Sequence, residues 1–293
     1  MGTELDSRGV DTHDPLWSAL ALTTAPEAVR QVHTDYLKAG ARVITTNTYQ
    51  AMLPALLRAG HDAHRAREVI AAGARLAGEA ARRFEAEHPE AQVLIAGGLG
   101  PYGAYLADGS EYTGVYDVGA LDAPVFRDVH LPRIEMLAGE GIDLFALETL
   151  PRLDEAQALV GAVEDLAAES ECWVSFQVRP DGAHLADGTP LAEAAAWAAD
   201  QETVVAVGVN CVAPDVVARA LPVLREATTK PLVAYPNSGD LYDPATKTWK
   251  AGEEGDGLAA LAPSWGASGV RLIGGCCRTR PAQIRELAHA LSA

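Results

Sequence analysis

The run Val270-Arg271-Leu272-Ile273-Gly274-Gly275-Cys276-Cys277-Arg278-Thr279 sets two adjacent cysteines at the end of a short apolar stretch, just before a helical pattern opening near Pro281. Adjacent cysteines do not suit disulfide geometry, so the pair is better suited to holding something jointly. A third cysteine, Cys211, closes a second run of the same kind, Val204–Val209. Three thiols at strand ends point to a metal. Zinc fits, because thiolates select it and catalytic zinc sites keep three protein ligands with one position open. Buried cysteine is also an ordinary small core residue, and the long separation between Cys211 and Cys276 matches no local zinc-finger spacing.

Runs of this type recur at Arg42–Thr46, Val93–Gly97, Ile142–Leu147, Trp173–Val178 and Leu232–Tyr235. Lacking polar alternation, they read as parallel strands buried on both faces. Helical patterns fill the intervals at Pro26–Lys38, His61–Glu87, Val125–Ala138, Leu153–Leu166, Leu191–Ala199, Pro214–Glu226 and Pro281–Leu291. Several open on or near a proline, where its missing N–H costs least. Strand and helix alternate without a linker rich in Ser, Gly or charge, which argues for one (β/α) barrel domain over residues 1–293. Seven strands are read where a closed TIM barrel takes eight, and the gap falls before Arg42.

In such a barrel, loops at the C-terminal ends of the strands build the active site. Those ends carry Thr46-Asn47-Thr48-Tyr49-Gln50, Gly98-Leu99-Gly100-Pro101-Tyr102-Gly103, Glu148-Thr149-Leu150-Pro151, Asn210-Cys211, Tyr235-Pro236-Asn237 and Gly275-Cys276-Cys277. All three candidate thiols therefore fall on one face. Glu148 closes the apolar run Leu144–Leu147; its carboxylate either holds a substrate ammonium through charge-assisted hydrogen bonds or pairs with a nearby arginine. Asn47, Thr48, Asn210 and Asn237 bind a substrate carboxylate, orient the cysteines, or serve as ordinary helix N-caps. Trp17, within Asp14-Pro15-Leu16-Trp17-Ser18, either walls a pocket or simply packs. The string Gly98-x-Gly100-x-x-Gly103 matches the dinucleotide fingerprint, but that fingerprint opens a helix, whereas Pro101 and Ala107-Asp108-Gly109-Ser110 read as turns. His61 and His64 read as an exposed helix face, and Cys172, at the opposite end of its strand, as a structural thiol.

The chain has 293 residues, 48% of them hydrophobic, with 23 Lys and Arg against 40 Asp and Glu and a formal net charge of −17. Such a charge repels nucleic acid and anionic membrane surfaces, so neither is an expected partner. Four cysteines are too few for a disulfide scaffold, and thiols meant for a metal must stay reduced, which makes the cytoplasm the expected compartment. The start Met1-Gly2-Thr3-Glu4-Leu5-Asp6 lacks the features of an export signal, and no apolar run is long enough to span a bilayer.

Taken together, Asp14-Pro15-Leu16-Trp17-Ser18, Thr45-Thr46-Asn47-Thr48-Tyr49-Gln50-Ala51, Gly100-Pro101-Tyr102-Gly103-Ala104-Tyr105-Leu106-Ala107-Asp108-Gly109-Ser110-Glu111-Tyr112, Glu148-Thr149-Leu150-Pro151, Asn210-Cys211, Tyr235-Pro236-Asn237-Ser238-Gly239 and Gly274-Gly275-Cys276-Cys277-Arg278-Thr279 resemble the homocysteine S-methyltransferase family in order and over essentially the whole chain. The likeness is strongest to the branch using S-methylmethionine or S-adenosylmethionine. It implies a (β/α)8 barrel, zinc held by Cys211, Cys276 and Cys277, and methyl transfer from a sulfonium donor to the thiol of homocysteine, giving methionine. It further implies that Glu148 holds the homocysteine amino group and that the Thr-Asn-Thr-Tyr loop lines the same pocket. Asn210 and Trp17 complete the expected substrate set; no catalytic group beyond the zinc site is expected.

Family members normally carry a first strand ending in Leu-Asp-Gly-Gly or Leu-Asp-Gly-Ala before the segment matching Met1-Gly2-Thr3-Glu4-Leu5. The expectation is that this strand, with an aspartate that helps bind homocysteine, is encoded upstream and that Met1 is internal. Two competing expectations stand beside the main one. Betaine or a methyl-corrinoid is the donor in one; in the other the chain is a non-catalytic zinc or thiol protein.

Overall fold

The computed structural model describes residues 1–12, 14–116, 123–239, 241–243, 248–250 and 257–292. Its strands are β1 (Val43–Thr45), β2 (Leu94–Leu99), β3 (Leu144–Leu150), β4 (Glu171–Phe176), β5 (Val204–Asn210), β6 (Leu232–Tyr235), β7 (Leu241–Asp243), β8 (Thr248–Lys250) and β9 (Val270–Ile273). β1 to β6 and β9 form a seven-stranded sheet in chain order, parallel at every pairing, while β7 and β8 form a separate antiparallel hairpin. All seven expected strands are present, each shifted by no more than a few residues.

Helices Pro26–Lys38, Ala63–Glu87, Ala123–Gly139, Leu153–Leu166, Leu191–Asp200, Pro214–Ala227 and Pro281–Ser292 alternate with these strands. Pro26–Lys38 shows how: Val29, Val32, His33 and Leu37 fall on one buried stripe at helical spacing, and Pro26 occupies the first turn. Where a helix was expected from His61, it begins at Ala63, because the Asp62 carboxylate accepts the Arg65 N–H at 2.8 Å and caps it. His64 is exposed on that first turn. A further helix, Leu258–Ala267, precedes β9; Pro263 inside it hides the pattern from a sequence reading.

The inward faces of the strands decide where chemistry can sit. Ala96, Leu144, Ala146, Trp173, Ala206 and Val233 pack together inside the curl of the sheet. Two residues further along β2, β3, β4 and β6, the same alternation brings Gly98, Glu148, Ser175 and Tyr235 to the inner face at the C-terminal end. Among the described residues, β1 and β9 stand at the ends of the strand order with one paired neighbour each. A cavity of about 650 Å³ runs between them, lined by Val43, Ile44, Leu272 and Ile273, and reaches up to Glu148 and the cysteines. Cys172 is buried at the start of β4, far along the strand from this mouth, and burial pushes its thiol up to about 12. Among the described residues no helix is long and apolar enough to cross a membrane.

Gly208 on β5 lies hard against β6: a Cβ there would stand 1.7 Å from the Val233 carbonyl oxygen. Gly208→Ala must therefore push the two strands apart, an overpacking cost of about 3 kcal/mol. A thermal melt checks this, and the displaced β5 should also weaken metal binding at Cys211.

Candidate metal centre

Cys211 follows β5, and Cys276 and Cys277 follow β9; strand pairing through β6 brings the two segments together. The three sulfurs lie within 4.8 Å of one another, with Cys211 and Cys277 Sγ 3.9 Å apart. Thiolates about 2.3 Å from a tetrahedral ion stand about 3.8 Å apart, so the donor set fits a metal as it lies. Backbone hydrogen bonds hold each cysteine: Cys211 N–H to the Tyr235 carbonyl at 3.1 Å, Cys276 N–H to that of Pro236 at 2.7 Å, and Cys277 N–H to Asn237 Oδ1 at 3.1 Å. Cys211 and Arg278 have φ of 56° and 61°, a left-handed backbone that side-chain-bearing residues rarely adopt. Gly275 leaves room for Thr279, whose side chain would come within 2.2 Å of any added Cβ.

Three sulfurs this close resist ionising together. Hydrogen bonds from Cys211 and Cys277 hold Cys276 well below the ordinary thiol range, while hydrogen bonds with Cys276 and Cys277, then burial, push Cys211 well above it. A bound cation reverses that balance, since a coordinated thiol is deprotonated.

Beside the thiols, Glu148 is half-buried in the cavity wall. Its carboxyl is pushed up to about 8, chiefly by burial and then by Cys276, against a hydrogen bond from Tyr235 that lowers it. Among the described residues Glu148 forms no ion pair with an arginine; Arg133 acts on it only as a weaker charge that lowers its pKa.

The strand-end amides and hydroxyls are not helix caps either. Asn210, fully buried, donates from Nδ2 to Thr149 Oγ1 at 2.8 Å, and its Oδ1 accepts from Thr149 N–H at 2.8 Å and Ser175 Oγ at 2.7 Å. These bonds secure Thr149, held at φ 61°, directly beside Glu148. Thr48 donates to the Gly98 carbonyl at 2.8 Å and pairs with Thr46 Oγ1 at 2.6 Å, whose oxygen accepts Gly98 N–H at 2.9 Å. Asn47 donates to the Ser18 carbonyl at 2.8 Å. Thr48 and Asn210 thus lie behind the wall, whereas Asn47, Trp17 and Glu148 line the cavity. Trp17 stands edge-on to Tyr49, with ring centroids 6.3 Å apart.

The fingerprint-like glycines serve the protein's own packing. A Cβ on Gly100 would meet the Tyr49 ring at 2.6 Å, and one on Gly103 the Glu111 N at 2.4 Å. A helix does open at Tyr102, against the expected turn, but it ends at Leu106. Several residues at the site escaped the sequence reading. Tyr235 accepts the Trp173 indole N–H at 3.0 Å, and the Tyr112 hydroxyl lies 3.8 Å from Cys211 Sγ. Tyr235 was legible as a strand end; nothing local marked Tyr112 as a neighbour of Cys211.

Comparison with known proteins agrees over the whole length. The family model described as homocysteine S-methyltransferase matches residues 1–291. A homocysteine S-methyltransferase of Escherichia coli strain K12 is 46% identical over 291 residues, 98% of this chain and 92% of that protein. The homocysteine S-methyltransferase YbgG of Bacillus subtilis strain 168 is 40% identical over 98% of this chain and 91% of its own. Among solved structures, the metallated form of the homocysteine methyltransferase MmuM from Escherichia coli superposes with a TM-score of 0.88 at 42% identity, covering 99% of this chain and 93% of that one.

Proposed function

Because this chain belongs to the homocysteine S-methyltransferase family, we propose that it moves a methyl group from S-methylmethionine or S-adenosylmethionine to the thiol of homocysteine, giving methionine. Zinc is the metal of this reading, held by Cys211, Cys276 and Cys277, and residues 1–293 act as one domain. The observation that carries it is the convergence of three sulfurs within 4.8 Å at the end of a cavity that also holds Glu148.

A free thiol has a pKa of about 8.5 and is mostly protonated at neutral pH, so it is a poor nucleophile there. When bound, zinc supplies the positive charge that keeps the incoming thiol ionised. The chain's own residues do the rest. Glu148 takes the homocysteine ammonium through charge-assisted hydrogen bonds. Asn47 and Trp17 line the acceptor pocket, while Thr48 and Asn210 act from behind it by holding the Gly98 and Thr149 backbones in place. The homocysteine sulfur forms its bond to the methyl carbon as the donor's S–CH3 bond breaks. That electron pair neutralises the sulfonium, and the thiol proton leaves to solvent. Aligning the three atoms in line is the protein's main contribution to rate. Reduced thiols require a reducing compartment, and the cytoplasm meets that need.

Methionine formation from homocysteine, assayed with each sulfonium donor and with betaine and a methyl-corrinoid alongside, tests this reading. Turnover with a sulfonium donor that chelation abolishes and zinc restores is expected. Full turnover after metal removal, or none with any donor, overturns it.

A further inference from the structure

Helix Ala123–Gly139 sends two polar side chains, His130 and Arg133, into the interior behind the cavity, and both are fully buried. One terminal nitrogen of the Arg133 guanidinium donates to the carbonyl oxygens of Tyr49 at 2.7 Å and Thr48 at 3.3 Å. The other donates to the Gly100 carbonyl at 2.8 Å and to His130 Nδ1 at 2.5 Å. Since Nδ1 accepts, the hydrogen-bond network puts the imidazole proton on Nε2, which donates to Glu155 Oε1 at 2.9 Å. Glu155, fully buried as well, accepts the Tyr102 N–H at 2.5 Å and the Tyr116 hydroxyl at 2.7 Å. Burial lowers the pKa of His130, which keeps it neutral, and brings Arg133 down to about 9, which leaves it charged at neutral pH.

Burying a guanidinium and a carboxyl is expensive, and apolar residues of similar size commonly fill such space at no loss of stability. What apolar residues cannot do is hold two loops at once. The planar fork reaches the loop after β1 through Thr48 and Tyr49, and the loop after β2 through Gly100. These loops already meet, with Gly100 N–H donating to the Tyr49 carbonyl at 3.2 Å. Through His130, the same network reaches Glu155, which grips both ends of the segment from Tyr102 to Tyr116. That segment carries Glu111 and Tyr112 to the cavity, and Tyr112 to Cys211.

We propose that Arg133, set in place by His130 and Glu155, is a positioning residue for methyl transfer, fixing Tyr49 and Tyr112, which both line the cavity, relative to the three thiols. The inference rests on the methyltransferase reading above. None of the three side chains touches substrate; they act through the loops they hold.

Arg133→Lys, Arg133→Met and Glu155→Gln, prepared with metal and assayed for metal per chain, melting temperature and steady-state constants, test the proposal. Metal content stays at the parent level, while kcat falls roughly ten- to a hundredfold, as loss of alignment implies, and KM for homocysteine rises. Arg133→Lys, which keeps the charge but loses the fork, lies between the parent and Arg133→Met; Glu155→Gln moves in the same direction by less. Folded variants with parental kcat and KM overturn the proposal, as does a lowered melting temperature with unchanged constants. Should both Arg133 variants fail to fold, Glu155→Gln decides: it keeps the shape and loses the charge, so parental constants there overturn the proposal, and altered constants at full metal content sustain it. Absence of methyl transfer in the parent protein would instead sink the methyltransferase reading itself.

Discussion

Alanine at Cys211 or at Cys276 strips the protein of metal and leaves methyl transfer at a few per cent of the parent rate or less. The limit comes from the acceptor: without a coordinated cation only a few per cent of a thiol is ionised at neutral pH. Each cysteine supplies one of three sulfurs packed within 4.8 Å, and each is pinned by its own backbone hydrogen bond, so no neighbour can swing in to replace it. Two remaining thiolates supply only half of a tetrahedral set, one ligand short of the three that a site with an open position needs. Metal analysis per chain and methionine formation, measured on the same preparation, check the result. Cys172→Ala serves as the control: its thiol lies in the core at the far end of β4, and metal content should not change. A Cys211→Ala protein that turns over fully without metal would refute the assignment.

Glu148→Gln separates acceptor recognition from metal binding. Replacing the carboxylate by a neutral amide of the same shape removes a charge-assisted hydrogen bond of about 1.5–3 kcal/mol, so the homocysteine KM rises roughly ten- to a hundredfold. Metal stays bound. The pH dependence changes too, and its sign follows from burial. The parent carboxyl sits at about 8, so at neutral pH it is mostly protonated, whereas an ammonium partner calls for its ionised form. Binding below about pH 8 must then release that proton. Through this group, homocysteine affinity climbs with pH by up to about tenfold per unit and levels off above pH 8. The substitution removes this part of the slope, and comparing affinity with pH in the two proteins isolates it from titration of the homocysteine thiol. Loss of metal with unchanged homocysteine affinity would rule the role out.

Much of this site could be read along the chain. The β-branched runs at Val204–Val209 and Val270–Ile273, the helices between such runs and the cysteines at their ends follow from periodicity, because a strand buried on both faces must be apolar throughout and polar residues appear only where it stops. Glu148 was visible for the same reason. Asn210 and Thr48 were visible only as polar residues at strand ends, and local rules favoured helix caps for them. Their hydrogen bonds to Thr149 and Gly98 depend on which strand lies alongside, a matter of register between segments some fifty or more residues apart.

Arg133, His130 and Glu155 lie on two different helices, amid residues that carry no motif. No local pattern distinguishes them from the charged residues that face solvent on the same helices. Strand, helix and thiol positions are properties of short segments, since local sterics and alternation of burial act over a few residues. The pairing of Arg133 with the Thr48, Tyr49 and Gly100 carbonyls, and the gathering of three distant sulfurs, arise only when the sheet curls and its C-terminal ends converge, because hydrogen bonds and coordination depend on distance in space and not along the chain.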